Sequence, residues 1–224
     1  MSTDSERIIE LYERHAHAWD ADRGSDLMAE RVWLDRFLGL LPPGASVLDL
    51  GCGSGQPIAR HLIARQCHVL GVDSSATLIG LCRHRFPEHD WLIADMRTLT
   101  LNRQFQGILA WDSFFHLSHE HQRRMFAIFQ AHAGAGTALL FTSGPRHGEA
   151  IGSYQGERLY HASLAPEEYR GLLASHGFAL VSHQIEDPLC GLHTVWLARA
   201  VANNSDHTVE QGVAADRSDS PCSG

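Results

Sequence analysis

From residue 46 onward the chain alternates apolar runs of strand length with helix-patterned stretches, and no other feature restricts its fold as tightly. Short buried strands joined by helices long enough to cross over specify a parallel sheet covered on both faces. Residues 46–50 (SVLDL), 68–72 (HVLGV), 91–94, 107–111 (GILAW) and 137–142 (TALLFT) fit the strand pattern. Two later runs, 178–185 and 194–199, are separated only by residues 186–193. A parallel crossover needs about a dozen residues or more, so this last pair is expected to be antiparallel. Upstream, Ile8, Leu11, Tyr12, His15 and Trp19 share one helical face and Leu27, Leu34, Leu38 and Leu41 another. That spacing predicts two amphipathic helices, ended by Pro42-Pro43-Gly44. The expected architecture is α/β: a doubly wound, seven-stranded, mostly parallel sheet with an antiparallel last strand and helices on both faces.

The periodicity stops near residue 202. One domain is expected over residues 1–201, with two N-terminal helices within 5–41 and a sheet core over 46–200. A disordered tail is expected over 202–224, where small and polar residues dominate. The chain has 26 Asp and Glu against 18 Lys and Arg, a net charge of −8. Part of that excess is in the tail, where Asp206, Glu210, Asp216 and Asp219 outnumber Arg217. Without clustered basic residues, no nucleic-acid partner is expected. No apolar run approaches the roughly 18 residues of a membrane span, and the start MSTDSE is polar and acidic. Neither a membrane nor a secretory route is expected, and a cytoplasmic location is. Cys52, Cys67, Cys82, Cys190 and Cys222 are scattered without a C-x-x-C pair, as for reduced thiols.

Chemistry concentrates after the first strand. The segment Val47-Leu48-Asp49-Leu50-Gly51-Cys52-Gly53-Ser54-Gly55-Gln56-Pro57 sets a glycine-rich turn between a buried strand and a helix. Glycines admit positive φ and let a ligand approach the backbone, and the helix start offers free N–H groups. The dinucleotide fingerprint G-x-G-x-x-G would need Gly at position 56, where the chain has Gln56. The spacing is D-x-G-x-G-x-G instead.

This pattern resembles motif I of the class I S-adenosylmethionine-dependent methyltransferases, and residues 8–200 follow the order of that family. The resemblance implies a Rossmann-like sheet and S-adenosyl-L-methionine as cofactor. Asp73, followed by Ser74, corresponds to the acidic residue that accepts the ribose hydroxyls. Asp95 corresponds to the Asp that bonds the adenine amino group, with Met96 packing on the ring. Trp111, Asp112 and Ser113, leading to His116, correspond to the segment lining the methionine portion and the acceptor. Gly51, Cys52, Gly53 and Gly55 form the loop itself. Asp49 either serves the methionine amino group or caps loop N–H groups.

The fourth-strand segment lacks the N/D-P-P-Y/F tetrad of amino methyltransferases acting on bases. Together with the acidic balance, this makes a small-molecule acceptor, methylated at O or N, the expected partner of a monomer or homodimer. The competing class is a non-catalytic cofactor-binding module or partner subunit. His116, His119 and His121 form H-x-x-H-x-H, but Ser118 followed by polar residues reads as a capped, solvated first turn, and no metal is expected. Residues 144–163, with glycines at 144, 148, 152 and 156, read as a long connection forming a mobile flap. It is expected to bring Tyr160 and His161 to the catalytic site, where His116 could take a proton near neutral pH.

Overall fold

The computed structural model describes residues 4–27 and 29–202. Of the expected tail over 202–224, residues 203–224, including Cys222, lie outside the described residues. Among the described residues, the main sheet has seven strands in the order β3-β2-β1-β4-β5-β9-β8. These are β1 (Ser46–Leu50), β2 (His68–Asp73), β3 (Asp90–Ile93), β4 (Phe105–Ala110), β5 (Ala133–Ser143), β8 (Phe178–Asp187) and β9 (His193–Ala200). Pairings β1–β2, β1–β4, β2–β3 and β4–β5 are parallel, whereas β9 is antiparallel to both β5 and β8. The doubly wound sheet and its late antiparallel strand are therefore as the sequence predicts.

Alternation along each strand splits the core between the two faces. Val47 and Leu109 pack with Trp33, Leu34 and Phe37, while Leu48, Leu50 and Ile108 face a cluster holding Phe114, Phe126, Phe129, Phe141 and Trp196. Crossover helices α4 (Ile58–Ala64), α5 (Ala76–Arg85), α6 (His119–Ala131) and α7 (Pro166–Ser175) cover the sheet. Gln122 on α6 is fully buried and satisfied: its amide donates to the carbonyls of Leu117 and Ala162, and its oxygen accepts from the Tyr169 hydroxyl. This network fixes the segment after β4 against the strand that carries Ala162.

Two expectations need correction. The N-terminal region forms three helices rather than two: α1 (Ile8–Arg14), α2 (Ala16–Arg23) and α3 (Arg31–Leu38). The first predicted helix breaks at His15, which leaves the helical region at φ −105° and ψ 17°. The connection over 144–163 is a β-hairpin of β6 (Gly148–Tyr154) and β7 (Glu157–Ser163), not an irregular flap. Its turn is Gln155-Gly156, both at positive φ (50° and 79°), the conformation that two-residue hairpin turns require. No helix among the described residues is long and apolar enough to cross a membrane.

Candidate active site

At the carboxyl end of β1 the chain turns through Gly51 at φ 73°, and the N–H groups of Gly51 and Cys52 donate to the Val72 carbonyl. The loop is then tied to β2 by one side chain. Asp73 accepts from the Gly53 N–H through Oδ2 and from the Ser75 N–H through Oδ1, each at 2.9 Å. Ser75 caps α5, its hydroxyl accepting from the Leu78 N–H. From behind, the Cys82 thiol donates to the Gly53 carbonyl at 3.2 Å and the Cys52 thiol faces the same oxygen. Burial pushes the Cys52 thiol well above its ordinary value, consistent with a packing role.

Helices α1 and α2 lie over this loop and close a cavity of about 730 Å3, mouth included. Glu13 accepts from the hydroxyls of Ser75 and Thr77, and Asp20 forms a two-pronged pair with Arg85 at 2.6 Å. The Trp19 ring sits directly over Gly53, so close that a Cβ there would lie 2.4 Å from it. Of the residues expected to hold a cofactor, Gly51, Gly53, Asp73, Ser74, Asp95, Met96, Asp112 and Ser113 line the cavity. Asp49, Cys52, Gly55 and Trp111 do not line it. Asp95 is clamped by Arg97, whose guanidinium donates to both carboxylate oxygens at 2.6 to 2.9 Å. Burial works against that clamp, and the net effect holds Asp95 below the usual carboxylate range.

Asp49 is 2% exposed, and its Oδ2 has no hydrogen-bond partner. The loop-capping alternative finds no support, because no loop N–H donates to it among the described residues. Burial, then the nearby Asp73 carboxylate, push Asp49 up to about pKa 7. Asp73 is also raised by burial, against the pull of its backbone donors. Two acidic groups short of compensation beneath a glycine loop suit a ligand that brings positive charge and hydrogen-bond donors.

His116 is buried in the cavity wall. Its Nδ1 lies 2.8 Å from the Tyr160 carbonyl, which can only accept, so Nδ1 carries the proton. Nε2 therefore accepts from the Tyr12 hydroxyl, also at 2.8 Å. Burial pushes the imidazole down to about pKa 4, which corrects the expectation of a base working near neutral pH. The ring is neutral and its lone pair is occupied. Tyr160 reaches the site through its carbonyl; its hydroxyl donates to Glu149 at 2.7 Å. His161 stands beside His116, ring centroids 4.8 Å apart, on the wall of a second cavity. The hairpin thus brings His161 to His116 while directing the Tyr160 side chain elsewhere.

Tyr12 and His193 have roles that sequence reasoning missed. The resemblance implies that the N-terminal helix with Tyr12, His15, Trp19 and Arg23 either folds over the cofactor or packs plainly on the sheet. Tyr12 and Trp19 line the cavity, but nothing in the pattern pairs Tyr12 with a residue over a hundred positions away. His193 bonds Asp112 Oδ1 at 2.9 Å through Nε2 and the Cys190 carbonyl at 2.6 Å through Nδ1. Two acceptors require two protons, so this ring is an imidazolium, and the Asp112 carboxylate holds it above its ordinary pKa. His119 does not point into solvent as expected: it stacks on His147 and bonds the Gly148 carbonyl, although Ser118 caps α6 as predicted. Among the described residues no group of three or more His, Cys, Asp or Glu side chains is placed to hold a metal ion.

Residues 47–136 match the family model of a methyltransferase domain. A trans-aconitate 2-methyltransferase of Azoarcus sp. (strain BH72) is 44% identical over 84 residues, covering 35% of this chain and 33% of that protein. A tRNA (carboxymethyluridine(34)-5-O)-methyltransferase of Mus musculus is 30% identical over 89 residues, covering 38% of this chain but only 13% of that protein. The chain thus spans a third or less of these two relatives. The crystal structure of Burkholderia thailandensis 1,6-didemethyltoxoflavin-N1-methyltransferase, bound to 1,6-didemethyltoxoflavin and S-adenosylhomocysteine, superposes with a TM-score of 0.70. It covers 91% of this chain and 92% of that one at 17% identity, a likeness of fold.

Proposed function

We propose that this chain is a class I S-adenosylmethionine-dependent methyltransferase, residues 1–201 forming one domain that transfers a methyl group to O or N of a small-molecule acceptor. The match of residues 47–136 to a methyltransferase domain supports the reading. The orphaned Asp49 carboxylate beneath the glycine loop carries this reading, because the cofactor brings both an ammonium and a sulfonium. When bound, S-adenosylmethionine would be held by Asp73, Asp95, Met96 and Ser113 and would supply an electrophilic sulfonium methyl group, with S-adenosylhomocysteine as the leaving product.

The residues of this chain bind, orient and exclude water. Asp73 keeps lone pairs toward the cavity while its two backbone bonds hold the loop in shape. Met96 and Ser113 stand against Gly51, and α1 and α2 cover the whole. His116 fixes the Tyr12 hydroxyl, whose oxygen remains able to accept from an incoming hydroxyl or amine. Positioning of this kind supplies several kcal/mol of the barrier reduction in a bimolecular displacement.

Calorimetry with S-adenosylmethionine and with NAD tests cofactor choice, and binding of NAD alone would overturn the assignment. Incubation with metabolite extract and, separately, with tRNA, followed by detection of S-adenosylhomocysteine, tests catalysis. Turnover with extract and none with tRNA is expected; cofactor binding without turnover would point to the binding-module alternative. Tyr12→Phe is expected to lower turnover about 10- to 150-fold, the effect of losing one hydrogen bond of roughly 1.5 to 3 kcal/mol. Cofactor affinity should stay within about 0.5 kcal/mol.

Asp49 predicts a pH dependence. Its pKa is about 7 in the folded chain, against about 4 for an unperturbed Asp. Between those values the folded form holds a proton that the unfolded form lacks, so this group's contribution to stability falls as pH rises from 4 to 7. A cationic ligand favours the carboxylate and expels that proton. Affinity for S-adenosylmethionine should therefore climb with pH up to about 7, by at most about tenfold per unit, and then level off. Titrations from pH 5.5 to 7.5 should show the climb, and Asp49→Asn should flatten it.

A further inference from the structure

Beside the cofactor cavity lies a second one of about 1010 Å3, mouth included. It is bounded by the end of β5, the hairpin and the β8–β9 tip. The two cavities share walls: Asp112 lines the first and its ion-pair partner His193 the second, and His116 faces the first while His161 faces the second. Phe115 lies against both His116 and His161, with centroids 4.8 and 5.2 Å away, and gives the second cavity an apolar floor.

Histidines aside, the charged lining of this cavity is one acid and one arginine. Its acidic lining residue is Glu149, already accepting from the Tyr160 hydroxyl at 2.7 Å and facing His119 Nδ1 at 3.8 Å. Asp112 is taken up by His193. Arg146, at the mouth between Pro145 and His147, is exposed and has no carboxylate partner among the described residues. We propose that this cavity takes a small molecule carrying a carboxylate, held by Arg146 with the molecule's apolar body on Phe115. A planar guanidinium matches the two oxygens of a carboxylate. The neutral His161, held below its ordinary pKa by burial, marks the end nearest the cofactor cavity. The carboxylate site itself does not depend on the methyltransferase reading.

The matched probes benzoate and benzamide share a ring and differ in charge. Each would be titrated calorimetrically into the full chain, with and without saturating S-adenosylhomocysteine. Benzoate is expected to bind at least tenfold more tightly than benzamide. Arg146→Gln, an exposed change that leaves the core untouched, should remove most of that preference while leaving S-adenosylhomocysteine affinity unchanged. Equal binding of the two probes, or a preference that survives Arg146→Gln, would overturn the proposal. S-adenosylhomocysteine binding without a benzoate preference sinks the acid site alone. A benzoate preference that depends on Arg146 in a chain indifferent to S-adenosylhomocysteine upholds the acid site and sinks the methyltransferase reading.

Discussion

Gly51→Ala is expected to abolish measurable S-adenosylmethionine binding and to destabilise the fold by about 2 to 5 kcal/mol. Two costs add. Gly51 sits at φ 73°, where a side chain costs roughly 1 to 2 kcal/mol. Its Cβ would lie 2.3 Å from Ser113 Cβ and 3.2 Å from the Met96 methyl, and overpacking of that kind typically costs about 1 to 3 kcal/mol. Ser113 cannot yield freely, because its hydroxyl donates to the Leu50 carbonyl at 2.7 Å. Any relief must shift Ser113 or the loop, and both line the cavity. Urea unfolding measures the stability loss and calorimetry the binding; affinity within tenfold of the parent chain would show that the loop does not contact the cofactor as proposed.

Asp73→Ala is expected to weaken S-adenosylmethionine binding by about 1.5 to 3 kcal/mol, roughly 10- to 150-fold, the cost of losing hydrogen bonds to a charged group. The structure adds a second route to the same loss, because the Gly53 and Ser75 N–H groups lose their acceptor together. Asp73→Asn separates the routes: its amide oxygen can keep one backbone bond while the charge is gone. A loss intermediate between the parent and Asp73→Ala is expected, and unchanged affinity in both variants would remove Asp73 from the site.

The sheet and the glycine loop were legible in the sequence because both depend on short-range patterns. Strand runs such as SVLDL and GILAW are buried on both faces and carry their signal within five residues. The hairpin was obscured for an equally local reason. Gly148, Gly152 and Gly156 interrupt the alternation that marks a strand, and Gln155-Gly156 is a weaker turn signal than Asn-Gly. Partnerships across the fold were not legible at all. His116 stood out by its place after the fourth strand, yet its character as a buried, neutral acceptor depends on Tyr12 and on a carbonyl of β7. The Asp112–His193 pair likewise exists only because β9 returns beside β5. Its tip then meets the turn after β4, where Asp112 takes φ 48°.

The way α1 and α2 lie across the glycine loop has a kinetic consequence. Trp19 covers Gly53, and the contacts of Glu13 with Ser75 and Thr77 and of Asp20 with Arg85 hold the covering helices down. A nucleoside of the cofactor's size passing beneath these helices would have to break these contacts together. Arrival and departure are then slowed by the same opening equilibrium, which leaves the dissociation constant nearly untouched while lengthening the residence time. Product held in this way would linger after each methyl transfer, and the steady-state rate of the proposed enzyme would then be set by how often two short helices lift.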